Sequence, residues 1–152
     1  LCFRQGRKVH WIRPYTKKST MEVAGIVRMA IKEIGADQCA VDVGGLGAGV
    51  YDRLVELVPE EECQVVQVNS GESPIDEVRY TNKRAEMWGE INDWLKAQPA
   101  DIPDDDELHA DLTQIKYSYD SSNRLTMEKT EDMKKPEPFI DQFEPFDTEV
   151  GY

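Results

Sequence analysis

One short stretch limits the possible folds more than any other. Residues 38–43 are strand-forming and carry an acid, Asp42, near their end, and a glycine run follows at once as Gly44-Gly45-Leu46-Gly47-Ala48-Gly49. From about Ala48 to Val58 the residues Val50, Leu54, Leu57 and Val58 recur at helical spacing, and Cys63 to Val68 is strand-like again. Strand, helix and strand in that order predict a right-handed parallel crossover. The class is therefore α/β, with Asp42 near the carboxyl end of a buried central strand.

The flanking segments add to this unit. Leu1 to Arg4 and Val9 to Ile12, joined across Gly6, predict a hairpin, which makes the sheet mixed. Ser19-Thr20-Met21-Glu22 has the form of a capping box, and Val23, Ile26, Val27, Ala30, Ile31 and Ile34 follow at helical spacing until Gly35. A third helix is expected over Asn82–Ala97, with Met87, Trp88, Ile91, Trp94 and Leu95 inward and Lys83, Arg84 and Glu86 on its exposed side. Trp11 is expected in the core with Trp88 and Trp94. Asp104 to Ile115 predicts a fourth helix, its acids in the first turn and Leu108, Leu112 and Ile115 inward. Its acidic start lacks the alternating ligands and central glycine of a calcium loop. Tyr117–Asp120 and Arg124–Glu128 predict a small hairpin across Ser121-Ser122-Asn123. One domain over 1–135 is expected, followed by a tail, 136–152, rich in Pro, Phe and acids, that reads as extended or disordered.

Charge bounds the function. The net charge is -12, yet residues 1–40 hold eight Lys/Arg against three Asp/Glu, and the remainder ten against twenty-seven. Such acidity argues against a nonspecific nucleic-acid binder, but not against a nuclease whose carboxylates are offset by metal ions. Lys8, Arg13, Lys17 and Lys18 are the candidate contacts to a DNA backbone, against a solvated turn as the plainer role. No apolar run could span a bilayer, so a soluble protein without membrane contact is expected. The cysteines Cys2, Cys39 and Cys63 lie in apolar runs where thiols behave as small buried hydrophobes, which suggests a reducing cytoplasm. No CxxC is present, and His10 and His109 lie far apart, so a zinc site is not expected. A first residue Leu1, rather than Met, suggests a chain cut from a longer one.

The glycine run invites a nucleotide-binding reading that fails in detail. Gly45 and Gly47 open a G-x-G, but Val50 stands where the last glycine is required, and Asn69 follows the next strand instead of a ribose-binding acid. No Gly-Lys-Ser/Thr is present to make a P-loop. A carboxylate at the mouth of a phosphate cradle would repel its ligand, whereas beside a divalent cation it attracts one. From Asp42 alone two roles stay open, a metal ligand or a cap on the turn that follows.

Several segments taken together resemble one family. Asp42-Val43-Gly44-Gly45-Leu46-Gly47-Ala48-Gly49-Val50-Tyr51-Asp52-Arg53-Leu54 is similar to the second acidic motif in the nuclease domain of tailed-phage terminase large subunits. Val65 to Val68 with Gly71, Tyr80 to Trp88, Ile102-Pro103 with Glu107-Leu108, Tyr117, and Glu128 to Lys134 continue in register. The resemblance covers roughly residues 1–135. It implies a ribonuclease-H-like mixed sheet flanked by helices, and a Mg²⁺- or Mn²⁺-dependent endonuclease that cuts concatemeric viral DNA in the bacterial host cytoplasm. It also implies an ATPase motor domain, a portal and a small terminase subunit as partners. By the same resemblance Asp42 is the catalytic, metal-binding position. The family's first acid belongs to a strand before this chain opens, and its last to a segment expected after Met133, where Lys135-Pro136-Glu137-Pro138-Phe139-Ile140-Asp141 stands instead. Asp42 is thus the sole matching ligand, and the chain is expected not to cut DNA unaided. The alternative is a catalytically inactive prophage-derived fragment that acts at most as a binding module.

Overall fold

The computed structural model describes residues 1–128. The expected tail, 136–152, and the acids Asp141 and Asp147 lie outside these residues. The element order is β1 (Cys2–Gln5), β2 (Lys8–Ile12), α1 (Thr20–Ile34), β3 (Gln38–Asp42), α2 (Gly47–Leu57), β4 (Gln64–Val68), α3 (Lys83–Ala97), α4 (Asp106–Gln114), β5 (Tyr117–Tyr119) and β6 (Leu125–Met127). Among the described residues no helix is long and apolar enough to cross a membrane.

Helix α1 begins and ends where local chemistry directs. The Ser19 hydroxyl accepts from the Glu22 N–H at 3.2 Å and the Glu22 carboxylate accepts from the Ser19 N–H at 2.9 Å, so two otherwise unpaired donors are satisfied. Gly35, at φ 62°, closes the helix through its N–H to the Ile31 carbonyl. Ala24, Val27 and Ile31 of α1 then pack on Val50 and Leu54 of α2, with Val58 and Cys63 completing the buried cluster. Full burial of a side chain such as Leu54 stabilises the fold by about 2–3 kcal/mol. Arg28 clamps the far end of this layer through a two-pronged ion pair with Glu62.

Strands β3 and β4 pair in parallel from Gln38↔Gln64 to Asp42↔Val68, which is the expected crossover unit. β3 is not buried on both faces, however. Cys39 and Val41 face the helical core, whereas Gln38, Ala40 and Asp42 are exposed, because α1 and α2 cover one side only. The expected single mixed sheet does not form among the described residues. Three separate two-stranded ladders occur instead, β1–β2 antiparallel, β3–β4 parallel and β5–β6 antiparallel. The first hairpin is tied to the end of α3. The Arg7 guanidinium donates to the carbonyls of Trp94, Gln98 and Pro99 and lies over the Trp94 ring, while the backbones of Arg7 and Val9 pair with Asp101.

Three further expectations are corrected. Cys2 is exposed, and of the three thiols only Cys63 is fully buried. In α3 the fully buried residues are Ala85, Glu86 and Gly89; of the expected apolar stripe Trp88, Trp94 and Leu95 are half-buried, and Met87 and Ile91 are left 42% and 39% exposed. Tyr80 packs on this inward face. Its ring presses so close to Gly89 that a Cβ there would lie 2.4 Å from Cε1, and only a glycine admits that approach. Trp11, Trp88 and Trp94 are half-buried rather than fully enclosed, and Leu108, Leu112 and Ile115 are half-buried along α4 as expected.

Candidate metal and nucleic-acid site

Both parallel strands leave the ladder by the same device. The Asp42 Oδ1 accepts from the Gly44 N–H at 2.9 Å, and the Asn69 side-chain oxygen accepts from the Gly71 N–H at 3.0 Å. Each is a turn in which a side-chain oxygen replaces a backbone acceptor. The Val43 N–H still pairs with the Val68 carbonyl, so the two turns stand side by side at the carboxyl edge of β3–β4. Gly45 takes φ 67°, and Gly47 is held against the Asp42 carbonyl, where any side chain would collide. The glycine run therefore fits a sharp strand-to-helix return. The turn-capping role weighed for Asp42 is present, and because its side chain is exposed the carboxylate still meets solvent.

Two more elements reach this edge. The Lys83 N–H bonds the Glu72 carbonyl and the Arg84 N–H bonds the Ser70 carbonyl, which fixes the first turn of α3 beside the exit of β4. Gly49 of α2 lies against Thr20 of α1, so both helices start together near the Asp42 turn. Lys17 and Lys18 directly precede α1, and Lys17 sits in the left-handed region at φ 57°.

Lys8 opens β2 and Arg13 directly follows its last residue, about 16 Å away at strand rise. Lys8 pairs with Asp101 at 2.6 Å, Lys18 with Glu22 at 3.3 Å, and Arg13 lies over the Trp11 ring. Among the described residues no group of three or more His, Cys, Asp or Glu is arranged to hold a metal ion. Asp42 belongs to no such group, and one carboxylate by itself does not organise two hydrated divalent ions.

The residue that sequence reasoning missed is Glu86, expected on an exposed face but only 1% accessible. Its carboxylate accepts the Ile75 N–H at 2.9 and 3.1 Å, the Asp76 N–H at 2.9 Å and the Lys83 ammonium at 2.6 Å. The Lys83 bond, then the Asp76 amide, hold its pKa down at about 2 despite burial. Glu86 thus fastens the long connection between β4 and α3 to the helix that follows it. Asn82 at the cap, with an acid in the first helical turn, was the available signal; the partners inside the loop were not.

No family model matches the sequence, and no curated protein matches it. Among solved structures, the chain is similar to the nuclease domain of the large terminase subunit gp2 of bacterial virus Sf6, a lysine-to-alanine mutant solved with manganese and beta-thujaplicinol. The TM-score is 0.70 at 21% identity, over 88% of this chain and 72% of that one. The chain therefore shares the fold of that nuclease domain.

Proposed function

We propose that this chain is nuclease-domain material of a viral DNA-packaging terminase large subunit, in which the Asp42 carboxylate is one ligand to a divalent cation at the site where concatemeric duplex DNA is cut. The observation that carries this reading is the position of Asp42. It is the last residue of a parallel strand, exposed at the carboxyl edge beside two helix starts, in a fold shared with a nuclease domain solved with manganese. Ligands in open α/β sheets gather at that edge. Mg²⁺ or Mn²⁺ would supply charge neutralisation and an activated water there. Lys17 and Lys18, adjoining the start of α1, are the better placed of the four basic candidates for the phosphate backbone, with Lys8 and Arg13 farther round the hairpin. The motor domain, portal and small subunit remain partners of this reading, as does action within the bacterial host.

A second reading has its own support. The described residues do not fit a complete two-ion centre, since Asp42 has no companion group of metal-ligating side chains among them. On this reading the chain is a catalytically inactive, prophage-derived module that binds without cutting. One experiment separates the two, a Mn²⁺ titration combined with nicking of supercoiled plasmid, on the chain and on Asp42→Asn. Nicking that disappears in the variant supports the active form. Metal binding that disappears in the variant, without nicking by either protein, supports the inactive form. Equal Mn²⁺ binding by both proteins would remove Asp42 from the site.

A further inference from the structure

A second recess lies away from the Asp42 edge. Helix α3, α4 and the β5–β6 hairpin enclose a groove of about 750 Å³, within the size range of ligand pockets, about 300–1,000 Å³. Four of its lining side chains are flat aromatics, Tyr80, Trp88, Tyr117 and Tyr119. Tyr117 and Tyr119 are two apart on β5 and so share a face; they are 66% and 59% exposed, and their rings meet edge to face at 6.1 Å. Exposed tyrosines on a short strand whose residues all face solvent contribute little to the fold.

The charge of the groove runs against that of the molecule. Its charged lining is Arg79, Lys96 and Asp93, a net of one positive in a chain of net -12. Arg79 is shared with Asp93 at 3.2 Å, and Lys96 has no ion-pair partner among the described residues. The Asn92 amide adds a donor and an acceptor. Tyr80 also lines the wall, and its buried hydroxyl has no hydrogen-bond partner among the described residues.

We infer that this groove binds an unpaired stretch of single-stranded nucleic acid, with bases stacked on Tyr117, Tyr119 and Trp88 and a phosphate held by Lys96. Aromatic faces alternating with a cation and an amide fit a base and its phosphate together. A duplex hides its base faces inside the stack, so a paired strand gains nothing from these rings. An apolar peptide would fill the recess but leave Lys96 and Asn92 unanswered. The inference goes beyond the metal-site reading and does not use Asp42, so either can fail alone.

The test is binding of a fluorescein-labelled 15-nucleotide thymidine strand, and of its uridine counterpart, by the whole chain. Anisotropy and tryptophan emission are followed together across a salt series. Either strand should bind and quench emission, and Trp88→Phe should remove most of the quench. Tyr117→Ala should weaken binding on the order of tenfold, with Tyr117→Phe restoring it. Lys96→Ala should make the slope of log affinity against log salt shallower by about 0.7. Both altered residues are exposed, so the melting temperature should hold and a loss would report on the groove. Asp42→Asn should leave this binding unchanged. Failure of both strands to bind, or binding indifferent to Tyr117→Ala and Lys96→Ala together, overturns the inference. So does concentration-dependent self-association that Tyr117→Ala abolishes, because the groove would then hold a second copy.

Discussion

Gly47 lies against the carbonyl oxygen of Asp42 at a distance that excludes every side chain, since a Cβ built on it would stand 1.7 Å from that oxygen. The obstruction is backbone at the end of a paired strand, so it cannot swing aside. Gly47→Ala should therefore displace the strand-to-helix return and destabilise the fold by about 3 kcal/mol or more. Gly25, inside α1, meets nothing within 4 Å. Gly25→Ala should stabilise by about 0.5–1 kcal/mol through helix propensity. Urea denaturation of the two variants checks both signs, and a harmless Gly47→Ala would contradict the packing described at Asp42.

Glu86 gives a pH dependence with a definite sign. Its folded pKa, about 2, lies below the ordinary 4.5, so its contribution is fully present above 4.5 and fades as the pH falls towards 2. In Glu86→Gln an amide NH₂ would confront Lys83 and the Ile75 and Asp76 N–H groups, all of them donors. The variant should melt several degrees below wild type at pH 7, and the gap should narrow between pH 4.5 and pH 2. A gap constant over that range would show that the carboxylate charge is not what holds the loop.

Features governed by neighbours in sequence were legible before the structure. Ser19 and Glu22 are three residues apart and Gly35 ends the same helix, so the start and stop of α1 could be placed from local rules. Asp42 was placed at its strand end because the glycine run forces a return there, and the family resemblance rested on the same segment. What escaped depends on contacts across the chain. Nothing near Glu86 announces that Ile75 and Asp76 need an acceptor, and nothing near Gly89 shows that Tyr80 will press on it. The apolar stripe of α3 consequently marked the inward face only in part, with Trp88, Trp94 and Leu95 half-buried and Met87 and Ile91 exposed. The mixed sheet was expected because a hairpin beside a parallel pair commonly joins it; Arg7 instead binds the hairpin to the end of α3. A second site ligand was not legible either, and the described residues contain no group of three or more metal-ligating side chains.

Arg7 is the clearest case of one side chain holding two elements together. Helix α3 ends at Ala97 with carbonyls that have no partners inside the helix, and Arg7 donates to Gln98 at 2.6 Å, to Pro99 at 3.1 Å and to Trp94. Arg7→Lys keeps the charge but loses the planar fork and its place over the Trp94 ring. We expect a loss of about 1–3 kcal/mol and a shift in tryptophan emission. Hydrogen exchange should increase at the end of α3 and in β1–β2 together. Faster exchange in only one of them would mean that Arg7 does not couple the two.

Asn69 shows what the turn at Asp42 requires. At the end of the neighbouring strand an amide oxygen makes the same contact to the second residue on, at 3.0 Å against 2.9 Å. A negative charge is therefore unnecessary for this turn, and Asp42→Asn should fold with stability within about 0.5 kcal/mol of wild type. Asp42→Ala removes the acceptor and should cost about 1 kcal/mol, as loss of a side-chain cap does. The pair separates architecture from chemistry. If Asp42→Asn keeps the melting curve and loses Mn²⁺, the carboxylate serves the cation and not the fold. Should Asp42→Asn instead unfold as readily as Asp42→Ala, the acid would have a structural duty that Asn69 does not share, and loss of metal binding in the variant would no longer identify a ligand.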